Sequence, residues 1–464
     1  MKKTKQVPTE LIRLNIEKLD SQGDGFGRDT AGKIVFVGGV LPGETVLVRK
    51  TTEKKDFATA RLVKIELPHP ERVVPFCPWH ERCGGCQLQH ASHPLQLRLK
   101  LQILEDAFSR IGRVLPIEGI ASVCPSPLQD GYRNKISLPV SGTGTSSGIE
   151  IGYFQKRTHR IIPIDRCPVA MPGLNLLLAE MRTGLAKAGL SPYNELSRQG
   201  FLRHVVLRGG QETGELLIVL VVRRFPDAPV MKNLTALARR VRRRFPGLVG
   251  LALNLNPTDG NAIFGPLTKC VSGRSYFFER FGDFTLKFEA TSFAQVNTKQ
   301  AVRLYETVAR EACPLGRENV LELYAGVGAI TCFLAAKASR VLAVEEWKPS
   351  AESMRENLMR NGFNNTRTIE GAAEDSDYET EGTFDTVVID PPRSGCHPDV
   401  LKTISNLASS RIVYVSCNPS TLARDVKLLC QDGAYRLIKV IPFDLFPQTS
   451  HVESVTVLKR ALSS

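Results

Sequence analysis

The residue of this chain best suited to covalent chemistry is a cysteine placed straight after an apolar run. Val415-Ser416-Cys417-Asn418-Pro419 follows Arg411-Ile412-Val413-Tyr414, so Cys417 is expected at the carboxyl edge of a sheet, where open α/β folds bind their ligands. A free cysteine more often ends as a small buried hydrophobe. The company of Cys417 argues otherwise. Asp390-Pro391-Pro392-Arg393 closes the preceding apolar run, and its prolines fix a turn that keeps the Asp390 carboxylate and the Arg393 guanidinium near the same edge. A thiol beside a guanidinium is expected to ionise more readily and to act as a nucleophile. Gln448-Thr449-Ser450-His451-Val452-Glu453-Ser454 adds an imidazole, His451, and a carboxylate, Glu453, near the end of the chain. Taken alone, Glu453 reads as a surface carboxylate.

A second constellation lies upstream. Leu321-Glu322-Leu323-Tyr324-Ala325-Gly326-Val327-Gly328-Ala329-Ile330 leads a strand into a glycine-bearing turn and then a helix. Gly326 and Gly328 let backbone approach a ligand closely. Glu345 ends the next strand, where a carboxylate can accept hydrogen bonds from ribose hydroxyls. The same geometry fits a dinucleotide-binding dehydrogenase, but no third glycine follows to complete the pyrophosphate turn of G-x-G-x-x-G.

Cys77-Pro78-Trp79-His80-Glu81-Arg82-Cys83-Gly84-Gly85-Cys86 and the distant Cys167 supply four thiols. On count alone they suit zinc and an iron–sulfur cluster equally. The five-residue gap argues against radical chemistry, which uses a shorter first gap. Cys124, Cys270, Cys313, Cys332, Cys396 and Cys430 lack such spacing and read as thiols without a metal role. An odd total of 11 cysteines in a large chain fits reduced thiols better than a disulfide framework.

The elements that must position these residues fall into three expected domains. Between Glu10 and Leu67 short alternating runs separated by turn residues, among them Leu41-Pro42-Gly43-Glu44, predict a small β-barrel over 1–67. Residues 68–290 read as a mixed α+β domain. Its helix over 95–112, with a stripe of Leu97, Leu101, Leu104 and Phe108 and a stop at Gly112, is expected to pack on the domain that follows. Its alternating strands flank a Gly/Ser-rich loop at 141–148. From 291 to 464 apolar strands such as Val341-Leu342-Ala343-Val344 alternate with helical segments, the pattern of a doubly wound α/β domain.

Charge singles out the middle. Residues 67–290 carry 29 basic and 17 acidic side chains, against 19 and 21 in residues 291–464, so an anionic partner is expected on the middle domain. Arg239-Arg240-Val241-Arg242-Arg243-Arg244 reads either as a solvated helix end or as a phosphate site. No long uncharged apolar run exists and the first ten residues are polar and lysine-rich, so a cytoplasmic protein without a membrane partner is expected.

Taken together, "LELYAGVG", "DPPR", "SCNP" and "HVE", in that order, resemble the RNA uracil-5 methyltransferase family, and the "LPGE" turn resembles the TRAM domain, an oligonucleotide-binding-like barrel. The resemblance spans nearly the whole chain and implies a C-terminal class I (Rossmann-like) fold using S-adenosylmethionine. It implies that Cys417 adds to carbon 6 of uracil, converting the ring to an enolate that takes the methyl group at carbon 5, and that Glu453 then removes the carbon-5 proton. Ser292-Phe293-Ala294-Gln295-Val296-Asn297 resembles the family's "FxQVN" segment. Gln295 is therefore expected on the cofactor with Tyr324, Gly326, Gly328, Glu345 and Asp390, and Phe293 near the target base with Arg393. Gly371-Ala372-Ala373 stands where the family holds the adenine with a side chain.

The C-x5-C-G-G-C pattern followed by Gln87 resembles the iron–sulfur site of the ribosomal-RNA members, implying a 4Fe–4S cluster on Cys77, Cys83, Cys86 and Cys167. Barrel and cluster together tilt the expected substrate towards 23S rRNA rather than the tRNA T-loop. Arg133 and Lys135, in Tyr132-Arg133-Asn134-Lys135, are the expected RNA contacts of what should be a monomer. The readings carried beside this one are a non-catalytic RNA-binding protein of the same fold, a nicotinamide-dependent oxidoreductase and a cytosine-5 methyltransferase.

Overall fold

The computed structural model describes residues 11–142, 148–194, 197–375, 378–407 and 409–461. The lysine-rich first ten residues and most of the Gly/Ser-rich loop read from the sequence lie outside them.

Six strands, Leu11–Asn15, Lys18–Leu19, Gly25–Arg28, Ile34–Val37, Thr45–Glu53 and Phe57–Leu67 (β1 to β6), form one sheet in the order β1-β5-β6-β4-β3-β2. Alternation decides which faces turn inward: Val35 and Val37, and Val46 and Val48, are buried while their chain neighbours are not.

Helix α1 (His93–Ala107) follows, its first turn capped by the Ser92 hydroxyl, and a π turn over Phe108–Gly112 ends it. Its buried face is rotated from the expected stripe. Leu104 and Phe108 are buried as expected, but Leu97 and Leu101 lie at the margin, and the polar Gln96 and Lys100 are buried instead. They can be, because each finds a buried partner: Gln448 for Gln96 and Asp444 for Lys100. Leu104, Ala107 and Phe108 pack against the core of the C-terminal domain.

The middle sheet contains Lys135–Gly142, Ile149–Phe154, Ile161–Pro163, Leu202–Gly209, Leu216–Val222, Leu248–Leu255 and Leu267–Gly273 (β7 to β13), in the order β13-β12-β11-β10-β7-β8-β9. Strand β11 reads LLIVLVV and is buried at every residue, because both faces of the sheet are covered. Ile218, Leu220 and Val222 meet helices α2 (Pro172–Lys187) and α3 (Ala228–Arg244) on one face. Leu217, Val219 and Val221 share the other with the C-terminal core. The arginine run of α3 is exposed at the helix end, on the helical side of the sheet. It forms a solvated helix end rather than part of the wall of the crevice.

After the hairpin Tyr276–Phe281 and Phe284–Glu289 (β14, β15) comes α4 (Thr298–Ala312). Strands Asn319–Leu323, Arg340–Glu345, Thr366–Glu370, Thr386–Ile389, Arg411–Ser416, Tyr435–Phe443 and Glu453–Arg460 (β16 to β22) then build a sheet in the order β18-β17-β16-β19-β20-β22-β21. Helices Ala329–Ala335, Lys348–Arg360, Pro398–Asn406 and Pro419–Cys430 (α5 to α8) connect them. The first five strands pair in parallel and β22 runs antiparallel to β20 and β21. Strand order reverses between β16 and β19, the point at which such a sheet opens a ligand crevice at its carboxyl edge.

Candidate active site

A cavity of about 710 Å³ opens at that edge. Cys417 and Asp390 line it from the ends of β20 and β19, Glu453 from the start of β22, and Gln295 and Phe293 from the segment before α4. Register brings nucleophile and carboxylate together. Ser416, the last residue of β20, is paired with Ser454; Cys417 follows directly on β20, Glu453 is the first residue of β22, and the Glu453 charge reaches the Cys417 thiol.

Local sequence fixes each group. Asn418 caps α8 through its side chain, accepting from Ser420 N at 3.1 Å, and its Nδ2 donates to the Arg393 carbonyl at 2.9 Å, so the cysteine turn and the DPPR turn are tied. Arg393 Nη2 lies 3.0 Å from Nδ1 of His451. Burial holds the His451 imidazole down to about 4, helped by the Arg393 charge, so at neutral pH it is uncharged and can only accept from the guanidinium.

The electrostatics correct one expectation. Burial, with the charges of Glu453 and Asp390, pushes the Cys417 thiol up to about 11, and Arg393 opposes this by charge and hydrogen bond without overcoming it. Carboxyl groups thus act on the thiol against Arg393, and the crevice wall carries Glu322, Asp390 and Glu453 beside Arg133, Arg166 and Arg393. Burial raises Glu453 well above the usual carboxylate range, Asp390 to about 7 and Glu322 to about 8. A cation bound among them would favour all three anions and relieve the cost of leaving them in low dielectric.

Glu322 was not singled out from the sequence. It stands in the middle of apolar β16, is 2% exposed and lines the cavity, and its Oε2 has no hydrogen-bond partner. The signal was available: a lone carboxylate in an otherwise buried strand needs a partner. Together with Asp390 it suits the positive charges of S-adenosylmethionine.

The glycine turn is built as its residues require. Gly326 (φ 59°) donates its N–H to Glu345 Oε2 at 2.8 Å, and Trp347 N donates to Oε1 at 2.9 Å. Glu345 therefore shapes the turn as well as standing at the end of β17. Gly328 (φ 84°) has Met354 so close that a Cβ would lie 2.8 Å from its Cγ. Tyr324, Gly326 and Asp390 line the cavity, whereas Gly328 and Glu345 are not among its lining residues. Phe293 is 71% exposed, an aromatic face left open rather than packed in the core.

The four thiols line the same cavity, as does Arg133. Burial, reinforced by their mutual repulsion as thiolates, pushes Cys83 up to about 11 and Cys86 to about 12, and raises Cys77. Among the described residues no group of three or more His, Cys, Asp or Glu side chains is arranged to hold a metal ion. All 11 cysteines are free thiols.

Of the run 132–135, Tyr132 is fully buried with its hydroxyl on the Pro447 carbonyl, and Asn134 is buried with its amide on Gln295 O and Thr298 Oγ1. These two hold the fold together. Arg133 stands on the cavity wall, whereas Lys135 turns to Phe264, its Nζ 5.2 Å from the ring, at a second cavity of about 700 Å³. No helix is long and apolar enough to cross a membrane among the described residues.

Known proteins share these features. The family described as tRNA (Uracil-5-)-methyltransferase matches residues 279–461 and the TRAM domain matches residues 8–63. An uncharacterized RNA methyltransferase of Gloeobacter violaceus is 38% identical over 454 residues, covering 97% of each chain. Another from Halalkalibacterium halodurans is 36% identical over 454 residues, again 97% of each. The crystal structure of Pyrococcus abyssi tRNA (uracil-54, C5)-methyltransferase in complex with S-adenosyl-L-homocysteine superposes with a TM-score of 0.77 at 28% identity, covering 96% of this chain and 100% of that one. A thiol, a carboxyl group and a glycine turn at one sheet edge, on a chain matched from end to end by such relatives, make this protein an RNA methyltransferase of the uracil-5 family that carries an N-terminal TRAM domain.

Proposed function

We propose that this enzyme methylates carbon 5 of a uridine in 23S rRNA through a covalent bond between Cys417 and carbon 6. The observation that carries the reading is that Cys417, directly after β20, and Glu453, at the start of the paired β22, line one cavity. Cys417, as thiolate, forms the S–C6 bond and pushes electron density to carbon 5. S-adenosylmethionine, held by Gln295, Tyr324, Gly326, Glu345 and Asp390, supplies an electrophilic methyl group when bound. Glu453 takes the carbon-5 proton, the C5–C6 double bond re-forms and the S–C6 bond breaks, returning the thiolate.

Glu453 suits that last step because a carboxyl group raised by burial above the ordinary range is a stronger base once ionised than an ordinary carboxylate. Arg393 balances the developing charge on the ring and sulfur. Phe293 offers its open face to the flipped base, since extrusion from the RNA replaces base stacking with side-chain stacking. Methyl transfer from labelled S-adenosylmethionine to a 23S rRNA transcript, with 5-methyluridine as product and loss of transfer in Cys417→Ala, tests the reading. A Cys417→Ala enzyme that still transfers methyl groups overturns it.

Cys77, Cys83, Cys86 and Cys167 are proposed as ligands of a 4Fe–4S cluster. The donor chemistry supports this: four thiols line one cavity, and their charges as thiolates act on one another. The cluster's role would be structural, joining the 77–86 segment to the middle sheet. Anaerobic preparation should give visible charge-transfer absorption with iron and sulfide in equal amounts, lost in Cys86→Ser; zinc without sulfide contradicts it.

The tRNA T-loop is the second reading, and the full-length likeness to the P. abyssi tRNA enzyme favours it. Parallel assays on tRNA and 23S rRNA transcripts decide between them.

A further inference from the structure

The segment between β21 and β22 carries Phe446, Thr449 and His451 to the cavity wall just before Glu453. At its centre Gln448 adopts φ 72°, a left-handed conformation uncommon for a residue with a side chain. Gln448 is 4% exposed, and its polar atoms are all engaged. Its N–H donates to Gln96 Oε1 at 2.9 Å, and its Oε1 accepts from Gln96 Nε2 at 3.0 Å. Its Nε2 donates to the Gln129 carbonyl at 3.2 Å, and its carbonyl accepts from Gln87 N at 3.0 Å and Leu88 N at 2.9 Å. Gln96, 2% exposed, completes its own amide with a bond to Ala91 O.

The rest of the segment is pinned by the same N-terminal elements. Lys100 Nζ donates to Asp444 Oδ1 and to the Phe446 carbonyl, while His93 Nε2 lies 2.8 Å from Asp444 Oδ2. Tyr132 Oη donates to Pro447 O at 3.0 Å, and Ser450 Oγ to Ser21 O of the barrel at 3.1 Å. A left-handed non-glycine persists only where its surroundings over-determine it. Here the surroundings come from α1, from the chain following Cys86 and from Gln129, while the barrel holds Ser450, Tyr132 holds Pro447 and Asn297 of the catalytic domain holds Leu445.

We propose that Gln448 and Gln96 are a positioning pair for the base: their reciprocal amide bonds fix the turn that sets where β22 begins, and so place Glu453 and His451 against Cys417. The inference rests on the reading of Glu453 as the base. A pair acting only on stability would affect every step alike. A pair that places the base slows the step in which the carbon-5 proton leaves, and leaves sulfur addition untouched.

Three variants and one readout separate these cases. Gln96→Ala removes the reciprocal amide bonds; Gln448→Gly removes the side chain yet keeps the backbone bonds and favours the left-handed turn, so it is the milder change; Glu453→Gln is the control. Each is given uridine-containing RNA and methyl-labelled S-adenosylmethionine, and both released 5-methyluridine RNA and denaturation-resistant labelled protein–RNA adduct are followed. In Gln96→Ala and Gln448→Gly, product release is expected to slow about tenfold or more. Methylated adduct should accumulate while its rate of formation and the KM for RNA keep their wild-type values. Release at the wild-type rate in both variants, or a parallel loss of adduct formation and release, overturns the proposal. If Glu453→Gln accumulates adduct and the glutamine variants do not, the positioning inference alone falls. If Glu453→Gln itself accumulates none, the base assignment falls and takes the inference with it.

Discussion

Cys417 and Glu453 flank the Ser416–Ser454 pair of antiparallel β20 and β22: Cys417 directly follows the end of β20, Glu453 opens β22, and both line one cavity. Parallel strands supply the cysteine edge, but only the antiparallel return of β22 carries a residue from the end of the chain to the same carboxyl edge. Nucleophile and base thus stand at one sheet edge, the base at the end of a segment pinned by α1 and its neighbours.

Their division of labour predicts opposite consequences for the two substitutions. Cys417→Ala should abolish both adduct and product. Glu453→Gln should slow turnover roughly a hundredfold or more, the usual range for losing a general base, while a methylated protein–RNA species persists through denaturing gel electrophoresis. Rapid turnover by Glu453→Gln would assign the proton to another group.

Glu322 predicts a trade between stability and cofactor affinity. Its buried Oε2 has no partner, so Glu322→Gln should raise the thermal midpoint of the cofactor-free enzyme at pH 8 and above, where the carboxylate would otherwise be charged. The same change should weaken S-adenosylmethionine about tenfold, more than it weakens a neutral analogue, because one charge opposite the cofactor is lost. Calorimetric titration beside a thermal melt reads both; an unchanged affinity would remove Glu322 from the site.

Folding stability should depend on pH through the same groups. Asp390 is raised from 3.8 to about 7 and Glu322 from 4.5 to about 8, so between those limits the folded protein holds protons that the unfolded chain has released. The contribution of these two groups to stability then falls as pH rises from about 4 to about 8 and levels off above, the sign required when the native state binds more protons, and comparison with Glu322→Gln isolates the Glu322 share of it. A bound cation lowers both groups, so S-adenosylmethionine binding should release protons below pH 8 and tighten as pH rises to 8. Calorimetry in buffers of different ionisation enthalpy measures the release; proton uptake on binding would contradict it.

Arg393 predicts a shifted pH profile. It is the group that lowers the Cys417 thiol, by charge and by hydrogen bond, so Arg393→Ala should move the alkaline rise of kcat/KM to higher pH and cut the rate at pH 7 about tenfold or more. A fall in rate with no movement of the profile would confine Arg393 to binding RNA.

Much of this was legible in the residues. The barrel is written in the alternation of Val35-Phe36-Val37 and Val46-Leu47-Val48 and in the Leu41–Glu44 turn, because a barrel buries one face of each strand. Motif order and spacing pointed to Cys417, Asp390, Arg393 and the glycine turn, since each ends a strand recognisable by its apolar run. Gln96 and Lys100 were missed because burial of a polar side chain depends on a partner far away in sequence, here Gln448 and Asp444. The environment of Cys417 was misjudged for a related reason. Arg393 is its neighbour by motif, but the carboxyl groups of Glu453 and Asp390 converge on it only through the sheet. The arginine run of α3 showed its charge in the sequence but not which side of the middle sheet it would occupy.

The central claim is a bond between one sulfur and one ring carbon. Incubating the enzyme with S-adenosylmethionine and RNA carrying 5-fluorouridine at the target blocks the final proton removal, so the complex should survive denaturation. Mass spectrometry of its digest should then show a methylated fluorouridine on the peptide containing Cys417. Active enzyme that forms no such adduct, or forms it on another cysteine, would contradict the account.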